Sequence, residues 1–398
     1  MTFCTKHMAE MDFEVVVGTY EEILLGFRVI QVGENFQLEP SFTDHSHSGC
    51  IKHVAVSAKG MLASGGTDET IQLFSLRKRS QLGSLTHHSG SVTCVQFYKN
   101  SHMFSASEDG TFCIWKTFSW ECLKTLRGHK GPVLSLSVHP SGKLALTVGQ
   151  DKTLRTWNLI TGKSAYISNI KRVADIVSWS PSGAFYAVVF ASKVDVYKLE
   201  TACVCSSWTL EKKINSFAFV NDSIVVYGGE GGMVSFYDIN NNTEISSVNA
   251  EVNRIRGISL MKSDGSDEDK YYMFTASSDG FLKMFSVIVE GTKVNVKCLS
   301  SHNADFRLTC ITVMRPQTLV KEEISEVTVN TDSVVEDRLS EKEEDTEQIE
   351  SSANKKSPKR KTERNLKHSM KDKAVKRLGK QPLLKRKGKK IKKEIEDT

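Results

Sequence analysis

Three polar side-chain types recur together along this chain. His47, Ser64 and Asp68 form one set, His88, Ser105 and Asp109 a second, and His129, Thr147 and Asp151 a third. The hydroxyl follows the histidine by 17, 17 and 18 residues, and the carboxylate follows it by 21, 21 and 22. An imidazole between a hydroxyl and a carboxylate is the arrangement with which hydrolases activate serine. Thr275 and Asp279 add a partial copy without the histidine. An enzyme needs one such centre, whereas a repeated structural unit carries one per copy. Repetition therefore assigns the sets to internal hydrogen-bond networks, which stabilise a fold when every member is satisfied. No catalytic residue is expected.

The sets belong to a longer repeat. An Asp followed six residues later by an aromatic occurs in "DETIQLF" (68–74), "DGTFCIW" (109–115), "DKTLRTW" (151–157) and "DGFLKMF" (279–285). Two copies without the Asp, "ASKVDVY" (191–197) and "GGMVSFY" (231–237), fill the gap. The closing aromatics Phe74, Trp115, Trp157, Tyr197, Tyr237 and Phe285 are 41, 42, 40, 40 and 48 residues apart, the last interval stretched by the polar insert 262–270. Within each unit, stretches such as "SVTCVQFY" (91–98) and "LALTV" (144–148) read as strands separated by tight turns, among them "HPSGK" (139–143). Four short strands per ~40–45 residues is the unit of a β-propeller blade. Units four and five lack the Asp and its histidine, and are expected to rest on apolar packing with lower local stability.

Six units leave the two ends unpaired. "RLTCITV" (307–313) reads as a first strand, and 13–29 with 35–45 read as the second to fourth. Joined, they make a seventh blade and remove the exposed sheet edges. The expected fold is all-β: a seven-bladed propeller over 13–315, preceded by an extension (1–12) and followed by an acidic linker (316–354) and a lysine-rich tail (355–398).

The pattern resembles the WD40 family, which implies that Trp115 and Trp157 join the His, hydroxyl and Asp of their units in one buried hydrogen-bond network. The family's "GH" dipeptide survives at Gly128-His129 and is replaced by "HH" at His87-His88 and "SH" at Ser46-His47; "WK", "WN" and "YD" stand where "WD" would be. "YEEILLGF" (20–27), "WECLKTLRGHKGPV" (120–133), "DKTLRTWNL" (151–159) and "SSDGFLKM" (277–284) further resemble the branch of p21-activated-kinase-interacting WD40 proteins, which has a yeast relative in large-subunit ribosome assembly. That resemblance implies a noncatalytic scaffold for nucleolar maturation of the 60S precursor. It also implies binding to, and restraint of, a p21-activated kinase. The alternative it leaves open is a mainly cytoplasmic kinase-binding inhibitor.

Charge concentrates beyond the repeats. Residues 321–350 carry twelve acidic and three basic side chains, and residues 355–398 carry nineteen basic and five acidic. The basic side chains cluster at Lys355, Lys356, Lys359, Arg360 and Lys361, and again at Lys385, Arg386, Lys387, Lys389, Lys390, Lys392 and Lys393. Such clusters suit an import receptor, RNA or acidic protein, or simply a solvated tail. No aromatic follows Phe306, so the tail can grip a phosphate backbone but not stack on bases. Taken with the family resemblance, which implies pre-60S particles and the kinase, the expected partners are pre-60S proteins and rRNA through the tail, an import receptor and a p21-activated kinase.

Other signals are weak. The start lacks the apolar core of a signal peptide, no apolar run approaches a membrane span, and the nine cysteines form no C-x-x-C pair. A reduced, intracellular monomer within larger assemblies, without cofactor or zinc site, is the expectation. The glycine-rich "GGEGGM" (228–233) and "PSGKLAL" (140–146) read as hairpin turns, not phosphate loops. Trp120 is expected on an outer strand; if exposed, it would be a binding anchor.

Overall fold

The computed structural model describes residues 13–33, 35–250, 252–263 and 269–315. The expectations for 1–12, 316–354 and 355–398, with both basic clusters, lie outside these residues.

Seven four-stranded antiparallel sheets make up the described chain. Blades one to six occupy 51–85, 92–127, 133–169, 174–209, 214–249 and 255–303. The seventh places Leu308–Met314 beside Phe13–Thr19, followed by Leu24–Val32 and Asn35–Asp44. The first strands of the seven blades touch one another in a closed cycle, so the described residues form a seven-bladed β-propeller.

The residue pattern explains the ring. First strands such as VLSLSV (Val133–Val138) alternate apolar residues with small hydroxyls, and those hydroxyls latch neighbouring blades. Val177 and Trp179 amides donate to Ser135 and Ser137 at 3.2 and 3.1 Å, and the Ile258 amide donates to Ser216 at 2.8 Å. Thr309 Oγ1 donates to Ile51 O at 2.6 Å, tying the last strand to blade one. Seven apolar clusters fill the seams, one between each pair of adjacent blades. Gly65 permits one close seam, because a Cβ there would lie 2.5 Å from Val92 Cγ1 of the next blade. Fourth strands such as Lys163–Asn169 are polar and almost wholly exposed.

Third and fourth strands slip register at each closing aromatic: Phe74, Trp115, Trp157, Tyr197, Tyr237 and Phe285. The same slip occurs at Phe27, which takes this position in blade seven and carries no preceding Asp signature. The extra residue re-aims the outer strand.

Blades four and five replace the polar sets largely with rings. Tyr186 stacks on Tyr197 at 5.0 Å, and Trp208 stacks on Tyr237 at 3.9 Å. Blade four also keeps a polar group, Asp195, paired with Lys193 and accepting from Ser207 at 2.6 Å. Trp120 corrects the outer-strand expectation. It lies in the turn before Glu121–Arg127, with a left-handed φ of 54°, and packs half-buried against the seam between blades one and two. The exposed aromatic of that turn is Phe118, at 94%.

Candidate functional site

The three repeated sets assemble in the same way. His47 Nδ1 lies 2.8 Å from Asp68 and its Nε2 2.8 Å from Ser64 Oγ. His88 lies 3.1 Å from Asp109 and 2.7 Å from Ser105. His129 lies 3.0 Å from Asp151 and 2.8 Å from Thr147. Each histidine comes from the loop entering its blade, each hydroxyl from the second strand and each carboxylate from the turn before the third.

Contact order alone matches a hydrolytic triad; two further facts decide against one. Ser64 is 1% exposed, and Ser105 and Thr147 are 0% exposed, so no substrate carbonyl can reach them. In blades two and three the hydroxyl oxygen also accepts from Trp115 Nε1 at 2.8 Å and from Trp157 Nε1 at 2.7 Å. The carboxylate can only accept, so with a neutral imidazole the relay runs one way: Trp Nε1–H to hydroxyl, hydroxyl to His Nε2, His Nδ1–H to Asp. Backbone amides complete it, with Ser48, Ser89 and Lys130 donating to the three carboxylates at 3.1, 3.1 and 3.0 Å. Phe74 has no N–H, so the relay in blade one is one member shorter. These are the two tryptophans that the WD40 resemblance places in the network, and the ten-residue gap from hydroxyl to indole recurs. Thr275 and Asp279 do not join a relay: Asp279 accepts from the Asn253 amide at 3.2 Å, and its other oxygen has no partner.

Burial holds His88 and His129 below the ordinary imidazole value, against the pull of Asp109 and Asp151. Burial pushes both carboxyls up, but their donors outweigh it. For Asp109 these are the hydroxyl and amide of Thr111, the Ser89 amide and His88; for Asp151 they are the Lys130 amide, His129 and Thr153. Both settle at about 2. Depressed folded-state values mean that the unfolded chain binds protons first as pH falls. The imidazole contribution is then full above about pH 6.5 and declines below it; the carboxylate contribution is full above about pH 4 and is lost towards about 2. Melting curves from about pH 8 to about 3 should show Tm falling in two stages with these onsets. A Tm that stays flat between neutrality and mild acid would contradict the imidazole part.

With the sets buried, the accessible chemistry lies elsewhere. Blades one, six and seven enclose a concavity of about 220 Å³ where their first strands begin, lined by Lys52, Arg256, Arg307 and Tyr20. Arg307 sits over the Tyr20 ring at 4.8 Å. Burial, together with the charges of Arg254 and Arg307, pulls Arg256 below its ordinary value. Crowded cations in a half-enclosed site favour a carboxylate or phosphate ligand. The sequence did not show this cluster, because ring closure brings together residues up to 287 positions apart.

A closed ring of seven blades with repeated His–Ser/Thr–Asp–Trp relays defines a WD40 β-propeller. The WD domain, G-beta repeat model matches residues 79–116 and 120–158, in the two blades that have the tryptophan. The chain is 44% identical over 317 residues to the p21-activated protein kinase-interacting protein 1-like of Danio rerio, covering 79% of this chain and 84% of that one. It is 37% identical to the Homo sapiens p21-activated protein kinase-interacting protein 1, over 75% and 76% of the two chains. It is 27% identical to Protein MAK11 of Saccharomyces cerevisiae, over 76% and 83%. The chain belongs to the p21-activated protein kinase-interacting protein 1 family of WD40 proteins.

Proposed function

We propose that this chain is a noncatalytic scaffold for nucleolar assembly and maturation of the 60S ribosomal subunit, and that it also binds and restrains a p21-activated kinase. The observation that carries the kinase reading is the 37–44% identity to proteins named for that interaction, over three quarters of the chain. Buried, fully bonded hydroxyls support a noncatalytic role, since neither Ser105 nor Thr147 is reachable. The cationic concavity at Lys52, Arg256 and Arg307 suits an acidic segment of a partner. Nineteen basic residues in 355–398 support a nuclear and nucleolar address, through an import receptor, and affinity for rRNA or acidic pre-60S proteins.

Two measurements on the full chain and on a chain ending at 354 test the reading. Deletion should disperse the nucleolar signal of a fluorescent fusion while leaving binding to a kinase regulatory fragment intact. Nucleolar retention without 355–398 would remove the tail from the account. Absence of binding to the fragment at micromolar concentration would remove the kinase.

A further inference from the structure

His87, Cys113 and Cys122 have no role in the relays, yet their ligand atoms all lie within 4.8 Å of one another. His87 comes from the loop entering blade two, Cys113 from the strand Thr111–Lys116 and Cys122 from the outer strand Glu121–Arg127. Thr125 stands among them: its Oγ1 is 2.8 Å from His87 Nε2, 3.7 Å from Cys113 Sγ and 3.6 Å from Cys122 Sγ. His87 Nε2 and Cys122 Sγ are 3.8 Å apart.

These separations are those of a coordination shell. Zinc bonds of about 2.3 Å to sulfur and about 2.0–2.1 Å to nitrogen, at tetrahedral angles, require donor–donor edges of about 3.5–3.8 Å. The 3.6, 3.7 and 3.8 Å edges already fall in that range, and the 2.8 Å edge between His87 and Thr125 would have to open. The imidazole is held edge-on to Trp115, 5.6 Å between centroids, so its direction is already set. Thr111 lies 4.0 Å from Cys113 Sγ and donates to Asp109 at 2.6 Å, linking the cluster to the blade-two relay. His87 is exposed and Cys122 half-buried, which leaves an entry path.

The fold does not demand these residues. In blade one the corresponding positions hold Ser46, Gln72 and Gln81, the two glutamines bonded to each other at 3.0 Å. In blade three they hold Gly128, Arg155 and Ser164. A glutamine pair or an arginine fills the same niche without any thiol, so neither neighbouring blade repeats the soft ligands of blade two.

We propose that His87 Nε2, Cys113 Sγ and Cys122 Sγ bind one Zn²⁺ ion, with the Thr125 hydroxyl at the fourth corner. Binding releases the two thiol protons to solvent, and two thiolates with a neutral imidazole make the site electrically neutral, as a half-buried position requires. Burial first, then the neighbouring Cys122, pushes the Cys113 thiol up to about 12 without a metal; a cation reverses that preference. The ion would staple the loop between blades one and two to the outer hairpin of blade two. The sequence hid this site because its ligands come from three separate segments with no C-x-x-C spacing.

The test is zinc content of the purified full chain by mass spectrometry, with cobalt(II) titration followed by absorption. About one equivalent and a thiolate-to-cobalt charge-transfer band are expected, with affinity falling more than about tenfold in His87→Ala and Cys122→Ser. Cys203→Ser and Cys205→Ser, at exposed positions outside the cluster, should bind as the parent does. Circular-dichroism melting of the metal-free variants checks that each is folded. Zinc retained by both His87→Ala and Cys122→Ser, no binding by the parent at micromolar metal, or a Cys113–Cys122 disulfide in the isolated protein would each overturn the proposal.

Discussion

A chain ending at Arg307 is expected not to fold into a soluble monomer. The missing strand Leu308–Met314 buries Leu308, Cys310, Val313 and Met314 in the two seams flanking blade seven. At about 1.5–3 kcal/mol for each buried side chain, their loss removes about 6–12 kcal/mol, comparable to the whole stability of an ordinary domain. It also uncovers Phe13–Thr19, an apolar strand (FEVVVGT) buried at all seven positions, as an open edge. Such an edge pairs with other chains, so aggregation should accompany unfolding. Size-exclusion chromatography and melting, against a chain ending at 315, would show it. A monomeric 1–307 chain with an unchanged Tm would mean that the ring is not held by its ends.

The second large effect concerns the relays. Asp151→Ala strands the Nδ1–H of His129, the amides of Lys130 and Thr153 and the Thr153 hydroxyl, all of which donate to this carboxylate. The His129 imidazole is buried and the Thr153 donors partly so, and leaving them unpaired costs about 3 kcal/mol, or a Tm lower by about 5–10 °C. Asp109→Ala should behave alike, since His88, Ser89 and Thr111 donate there. Asp68→Ala loses His47, Ser48 and Thr70. Asp151→Asn keeps an acceptor and should cost less. Asp279→Ala should cost least, because among the described residues only the Asn253 amide donates to it. Differential scanning calorimetry of the set would show three similar losses and one small one. If Asp151→Ala alone were affected, the repeated-network account would fail.

The fold was legible wherever the repeat imposes a period. Closing aromatics from Phe74 to Phe285 sit on third strands because each blade reuses one register. The relay positions follow from the same regularity: with hairpin lengths fixed, His, hydroxyl and Asp return at near-constant spacing. What could not be seen arises where the ring joins distant segments or where one blade departs from the pattern. Phe27 lacks the Asp that marks the other aromatics, and its first strand lies at the far end of the chain. The cationic concavity exists only after closure sets Lys52 beside Arg256 and Arg307. Trp120 sits in a left-handed turn that strand alternation does not signal.

The central claim, a scaffold acting on the 60S precursor, is tested most directly by sucrose-gradient sedimentation of cell extract, probing the full chain and a chain ending at 354. The account predicts that the full chain co-migrates with 60S precursors, and that truncation or moderate salt weakens the association. A full chain that stays in the light fractions at every salt concentration would contradict it and leave kinase binding as the protein's main role.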